Sequence, residues 1–551
     1  MTRAGRGLAV ATLFAALTVA MAAPWSLHPA TRVLVDNPDT HLYMWTLGWD
    51  VHALATAPWR IFDANIFHPA PNTLAYSENL IGSALLAAPM LWLTGDLVLT
   101  LNLVSLLSCA LCGVGTYVLA RRLGLSPPAA IVAGLVFAFA PMRFFRMSQM
   151  HLNAVQWLPL GLAGLHGYLD TGRRLDLRLA LVCFSLQALA TGHGAVFLAV
   201  SMTALVAFRL AHGAPLAPAR RLRDIGLAGL MAVLPALLVL LPYRRAQTEA
   251  GLRRSLENWT VTPASYLATP SHVDGWLWSL VSDVRPNDSA NAFLFPGVLV
   301  LALAAAALVP AGTANAGVRR RDVVFYALLT GLSVLLFVDG PLALWPWVYS
   351  WPGFNFIRVP SRFAIVTALA LAVLAGIGLE RLTARWSARR AAWAAAVAGL
   401  LLLGEFSAHP FAGTDYRLEV PPADRWLAAQ PRPFVVAEMP VPPPTRSGPY
   451  ERFQTAAMLH TSVHWQPTVH GYSGIRPPWH DALAATMQGF PDEASLTALR
   501  EAGVTHVIVH GANYAPADRA AIAGRIQRTP ALRLAFADGD DAVYALGLAA
   551  R

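Results

Sequence analysis

Long apolar runs, separated by short polar stretches that carry clustered arginine, organise this chain. Runs able to cross a ~30 Å hydrocarbon core recur at 8–24, 97–119, 126–141, 154–169, 178–190, 194–210, 225–243, 292–310, 323–338, 361–380 and 390–406. Several are shorter than a full crossing, which suggests tilted pairs or half-helices. Arginine clusters fall at Arg121-Arg122, Arg173-Arg174, Arg220 to Arg223, Arg319 to Arg321 and Arg381 to Arg390. With these clusters and the N-terminus placed inside, the chain makes roughly 11 crossings and ends outside. Residues 79–94 are apolar enough to cross, yet a crossing there would put Arg121-Arg122 outside. That segment therefore reads as re-entrant or interfacial.

This topology sends four stretches to the outer face: 25–79, 142–153, 244–290 and 339–361. The first runs through Asp36-Asn37-Pro38-Asp39, Trp45, Trp49, Trp59, His68 and Glu78. Acidic groups beside a membrane span are costly to retain without a use, so function is sought there. Pro38 suits a first helical turn, with Asn37 or Asp39 able to cap it. Leu42, Trp45 and Trp49 then recur at helical spacing, which predicts a short helix lying in the membrane interface. The later stretches bring Arg143 to His151, Arg244-Arg245, Arg253-Arg254, Arg358 and Arg362. Basic residues on an outer face need an anionic partner, a lipid headgroup or a bound phosphate.

From about residue 411 prolines punctuate a mixed sequence. Phe434 to Ala437 and Val504 to Val509 read as buried strands, with a helix over Glu493 to Ala502 capped by Gly503. The expected fold class is thus mainly α. A polytopic transmembrane bundle occupies 1–410, with its catalytic loop at 25–79, and a small extracytoplasmic α/β domain occupies 411–551.

Composition agrees. The 551 residues are 56% hydrophobic and only 13% charged, with a mean hydropathy of +0.48. A soluble domain carries roughly a quarter charged residues, so most of this chain belongs in lipid. The net charge of +10 does not point to nucleic acid, because the basic residues sit in short clusters between spans. No lysine occurs. Cys109, Cys112 and Cys183 lie inside apolar runs, so no disulfide framework serves the polar regions. The N-terminus imitates a secretory signal but reads as an uncleaved first span.

Acids on the first outer loop and arginines on later ones suit an anionic, ring-bearing substrate. A carboxylate can deprotonate an acceptor hydroxyl while arginines hold a phosphate leaving group. At a membrane surface, a phosphate-bearing donor is a lipid-linked sugar. Asp39 is the first candidate base, weighed against a helix cap, and Asp36 the second. Glu78 could bind a metal with either, or cap the helix near Asn79. His68 and His151 suit substrate binding. Arg358 and Arg362, four apart, could share a helix face and one phosphate, with Arg244 and Arg245 similar. His193, between two glycines, marks a helix break that could reach the site. His460, His464, His470 and His480 lack tight ligand spacing, which argues against zinc.

Five motifs together resemble the GT-C superfamily of polytopic glycosyltransferases, in a largely uncharacterised bacterial branch. They are Asp36-x-x-Asp39 with Trp45, Phe67 to Glu78, Pro352 to Phe363, His464 to Gly474 and Gly503 to His510. The resemblance implies an integral inner-membrane enzyme with a catalytic acid on the first outer loop. It implies an inverting transfer from a polyprenyl-phosphate-linked sugar donor to a glycan, lipid or protein acceptor. A divalent cation, Mg or Mn, is an optional companion. The adjacent Asp-Glu of better-known relatives is replaced here by Asp36-Asn37-Pro38-Asp39. The alternatives are a flippase for a lipid-linked glycan and a non-catalytic factor in envelope-glycan assembly. A transporter should place ionisable groups near the bilayer midplane, whereas most charges here lie at span ends.

Overall fold

The computed structural model describes residues 2–212, 218–249, 261, 263–280, 293–309, 319–338, 340–351, 354, 357, 359–408, 410–444 and 448–547. Arg253, Arg254 and Arg358 lie outside these. The chain divides into two compact units that are not its consecutive halves. The first unit comprises 1–29, 102–238 and 253–413, and the second 30–101, 239–252 and 414–551. Residues 30–79, most of the expected first outer loop, thus group with the C-terminal residues.

The first unit is helical. Among the described residues, four helices are long and apolar enough to cross a membrane: Ala4–Met21, Leu97–Arg122, Gly192–Ala211 and Pro360–Thr383. Other predicted runs fold as shorter helices, such as Pro127–Phe139, Trp157–Thr171 and Val298–Leu308. The helix Ala364–Thr383 is the central one, buried along nearly its whole length. It packs against Val298–Leu308, Pro127–Phe139 and Arg320–Leu335. Small residues allow the approach, for a Cβ on Gly378 would collide with the Leu303 carbonyl.

Arginine clusters that the sequence assigns to one membrane face gather at one end of this unit. Asp170 accepts Arg209 at 2.6 Å and Arg319 at 2.7 Å, with Arg321 beside them. Arg221 donates to the Leu169 carbonyl at 2.9 Å, and Arg122 pairs with Asp176. Glu380 meets Ser126 where Ala364–Thr383 ends and Pro127–Phe139 begins. At the opposite ends of these antiparallel helices lie residues 140–153 and Arg362.

In the second unit, strands β1 (Arg32–Val33) and β2 (Thr414–Asp415) pair antiparallel. Strands β3 (Val436–Met439), β4 (His506–His510), β5 (Leu532–Asp538) and β6 (Asp541–Leu546) form a sheet of order β3-β4-β6-β5. β3 and β4 run parallel and the other pairings are antiparallel. One face packs Val436, Ile508 and Val543 against Ala423 and Leu427. The other packs Ala437, Val507 and Val509 against Tyr450, Leu496 and Leu499. The expected strands and the helix Glu493–Glu501 are present, with Gly503 at φ +76° just past its end.

The helix Pro38–Thr56 departs from its expected setting. Every residue from Thr40 to Val51 is buried, so the helix is a core element of its unit rather than an interfacial one. It packs on Ile81–Thr94, the next α-helix, and on Gly448–His460, a partner far along the chain that its local pattern could not announce. Ile81–Thr94 has 14 residues, about 21 Å, less than a bilayer core. Its Trp92 and Leu93 point outward.

Candidate functional site

In the first unit, Pro141 ends the helix Pro127–Phe139, and two short turns, Pro141–Phe144 and Met150–Asn153, carry basic side chains inward. Arg143 and Arg146 are fully buried. Arg143 is spent on structure: it donates to the Ala138 carbonyl at 2.8 Å and lies 3.0 Å from Cys112 Sγ. The other basic groups converge. Thr191 caps Gly192–Ala211 by accepting the Gly194 N–H at 2.9 Å, which sets His193 in the helix's first turn. His193 Nε2 is 2.8 Å from Arg362 Nη1, so this imidazole accepts and keeps its proton on Nδ1. The His151 ring lies 5.3 Å from that of His193, centre to centre, tilted against it by 52°. Burial, then Arg362, His193 and Arg146, hold the His151 imidazole well below its ordinary value. Burial and Arg362 likewise push Arg146 down. Two guanidinium groups and two imidazoles crowded together create a place that an anion would stabilise.

The second unit holds the first-loop acids. Asn37 caps Pro38–Thr56, its Oδ1 accepting the Thr40 N–H at 2.9 Å. Asp39 is therefore not the cap. Its exposed carboxylate accepts the Tyr472 hydroxyl at 2.8 Å. Asp36 is held between Arg452 at 3.1 Å and His41 Nε2 at 2.9 Å. Glu78 does not cap the helix either, because Asn79 Oδ1 takes the Ile81 N–H at 3.1 Å. Glu78 sits instead near Tyr243, whose hydroxyl donates to the Ser77 carbonyl at 2.6 Å. Arg244 and Arg245 follow Tyr243 but are exposed.

His68 lies at the other end of the loop. It lines a cavity of about 460 Å³ with Trp49, His52, Asn65 and Trp465, beside the carboxyl end of Pro38–Thr56. His52 and Trp465 stack there at 5.3 Å. Thirteen residues of helix separate Asp39 from His52, about 20 Å, so the loop is not one compact constellation.

Sequence reasoning missed two features. Asp50, in the interior of Pro38–Thr56, is wholly buried, and neither of its oxygens has a hydrogen-bond partner among the described residues. Burial raises its carboxyl well above the usual range. The signal was an acid set between Trp49 and Val51 in the interior of the helix, away from its ends. The second is the set Glu438, His460 and His510, whose ligand atoms all lie within 4.8 Å of one another. Linear spacing hid it, because the three come from separate elements.

Comparison with known proteins now bears on this geometry. Residues 75–412, well over half of the chain, match the family described as bacterial membrane protein YfhO. The chain belongs to the YfhO family. No curated protein matches it. The arabinofuranosyltransferase AftD from Mycobacteria overlaps it with a TM-score of 0.58 at 16% identity, covering 100% of this chain and 40% of AftD. The chain thus spans well under half the length of that relative. The oligosaccharyltransferase of Archaeoglobus fulgidus gives a TM-score of 0.43 at 14% identity, over 92% of this chain and 69% of the other. ArnT from Cupriavidus metallidurans gives 0.44 at 13% identity, over 98% and 97%. The fold of this YfhO-family chain is the GT-C type that its motifs resemble.

Proposed function

We propose that this protein is a membrane glycosyltransferase that moves a sugar from a polyprenyl-phosphate-linked donor to an extracytoplasmic acceptor. The observation that carries the reading is the convergence of Arg362 and His193 with Arg146 and His151. The fold shared with AftD, an arabinofuranosyltransferase by name, supports it. In the reaction, an acceptor hydroxyl loses its proton to a carboxylate and its oxygen attacks the anomeric carbon. The bond from that carbon to the phosphate oxygen breaks, and the lipid phosphate leaves with the electron pair. Arg362 and the imidazole it orients would hold that charge as it develops.

Asp39 is the base in this reading. Both carboxylate oxygens of Asp36 are already engaged, one by His41 and one by Arg452. Asp39 stays at the surface, with Tyr472 orienting one oxygen. The aromatic cavity around His52, His68 and Trp465 would stack on sugar rings. Its distance of about 20 Å from Asp39 along the helix suits an acceptor of several sugars over a single one. A divalent cation, if the donor needs one, would neutralise the same phosphate.

The test is transfer from a radiolabelled polyprenyl-phosphate sugar in vesicles containing the full chain. Asp39→Asn and Arg362→Ala should each lower kcat/KM by roughly 10²–10³, and Asp36→Asn by much less. Full transfer by correctly inserted Asp39→Asn would remove the base assignment. Movement of unaltered donor across the bilayer, without transfer, would make the protein a transporter.

A further inference from the structure

We propose that Glu438, His460 and His510 bind one divalent transition-metal ion, best matched by Zn²⁺, at the carboxyl ends of β3 and β4. The register of the sheet builds the site. Glu438 pairs with Ile508 across the parallel β3–β4 ladder, so their side chains share one face. His510, two residues beyond Ile508, returns to that face. Ligand sites in open α/β sheets gather at carboxyl strand ends. His460, the last residue of the helix Gly448–His460, completes the group.

The donors converge as a metal set should. Glu438 Oε2 lies 3.0 Å from His460 Nδ1 and 3.0 Å from His510 Nε2. Ligand atoms around tetrahedral zinc at ~2.0–2.1 Å stand about 3.3 Å apart, so small shifts would seat the ion. Glu438 and His510 are buried, while His460 is the more exposed member and gives the ion access. Two imidazoles and one carboxylate favour zinc over magnesium or calcium, which prefer all-oxygen shells.

A second, independent observation concerns the far side of His510. Its Nδ1 lies 3.0 Å from Asp541 Oδ1, a residue placed directly opposite by the antiparallel β4–β6 pairing. A carboxylate behind a histidine, holding its outer N–H and aiming the inner nitrogen, is the arrangement that supports metal-ligating imidazoles. Glu438 is steadied too, because its backbone N–H donates to His470 Nε2 at 2.7 Å. That contact occupies His470 Nε2, so among the described residues three protein ligands and one open position remain. The bound ion would tie two strands and a helix end together, whatever reaction the rest of the chain performs. The rival is a self-contained ionic cluster, since two imidazolium rings and two carboxylates also balance.

The experiment uses the full chain purified in detergent without chelator, incubated with Zn²⁺ and freed of excess by gel filtration. About one zinc per chain is expected by mass spectrometry, with a higher Tm that EDTA reverses. Glu438→Gln and His460→Gln should retain none. His460→Gln, altering the more exposed ligand, should melt in EDTA as the parent does, which separates lost binding from lost folding. Asp541→Asn should keep the ligands yet weaken zinc affinity by roughly 10–100-fold in chelator competition. Retention below about a tenth of an equivalent by the parent, with Tm unmoved by Zn²⁺, would overturn the proposal and leave an ionic cluster only.

Discussion

Asp50 shows how much one residue can carry. A carboxyl buried without a hydrogen-bond partner is kept neutral by its surroundings. Its folded value is raised, so the folded protein holds a proton that the unfolded chain releases above the ordinary carboxylate range. Stability from this group therefore falls as pH rises, by up to about 1.4 kcal/mol per pH unit until the folded value is reached. Asp50→Asn, an isosteric neutral group, should remove that slope. Its Tm should gain on the parent's between pH 5 and pH 8. Parallel Tm–pH curves for the two would show that Asp50 does not titrate with folding. The first-loop aspartates teach a related point. Asn37, Asp39 and Pro38 were all legible as a helix start, but which oxygen capped the helix depended on backbone angles and on Tyr472, 433 residues further on.

At the scale of elements, helix ends were the most legible feature because their chemistry is local. Gly95 ends Ile81–Thr94 at φ +67°, and Asp96 opens the next helix by accepting the Leu99 N–H at 2.9 Å. Asn37→Ala should cost about 1 kcal/mol through the lost cap, read as a lower denaturation midpoint with unchanged slope. Contact between helices was not legible. Gly378 looks like any glycine in an apolar run, yet its missing Cβ lets the Leu303 backbone approach. Gly378→Leu should lower Tm markedly, since overpacking costs roughly 1–3 kcal/mol, whereas Gly331→Leu, facing open space, should be nearly silent. Equal effects at the two positions would contradict the packing described.

For the whole molecule, charge bias makes a topological prediction. By the arginine bias, the clusters around Asp170 are expected inside and residues 411–551 outside. The native cysteines are buried, so single engineered thiols report cleanly. An impermeant maleimide should label Glu493→Cys in intact spheroplasts and Arg173→Cys only after lysis. The reverse order would invert the topology.

Composition and apolar run lengths determined by themselves that this is a helical membrane protein with a small α/β domain. Those properties follow from solvent preference and local backbone rules, which each segment carries alone. Which polar groups meet was decided by the tertiary structure. Arg362 finds His193 across 169 residues, and Glu438 finds His510 across 72. The helix Pro38–Thr56, expected to lie in the membrane interface, is buried because it packs on Ile81–Thr94 and on Gly448–His460 from the far end of the chain. Side-chain chemistry is written in the sequence, but convergence is a property of strand register and helix packing, and no linear spacing records it.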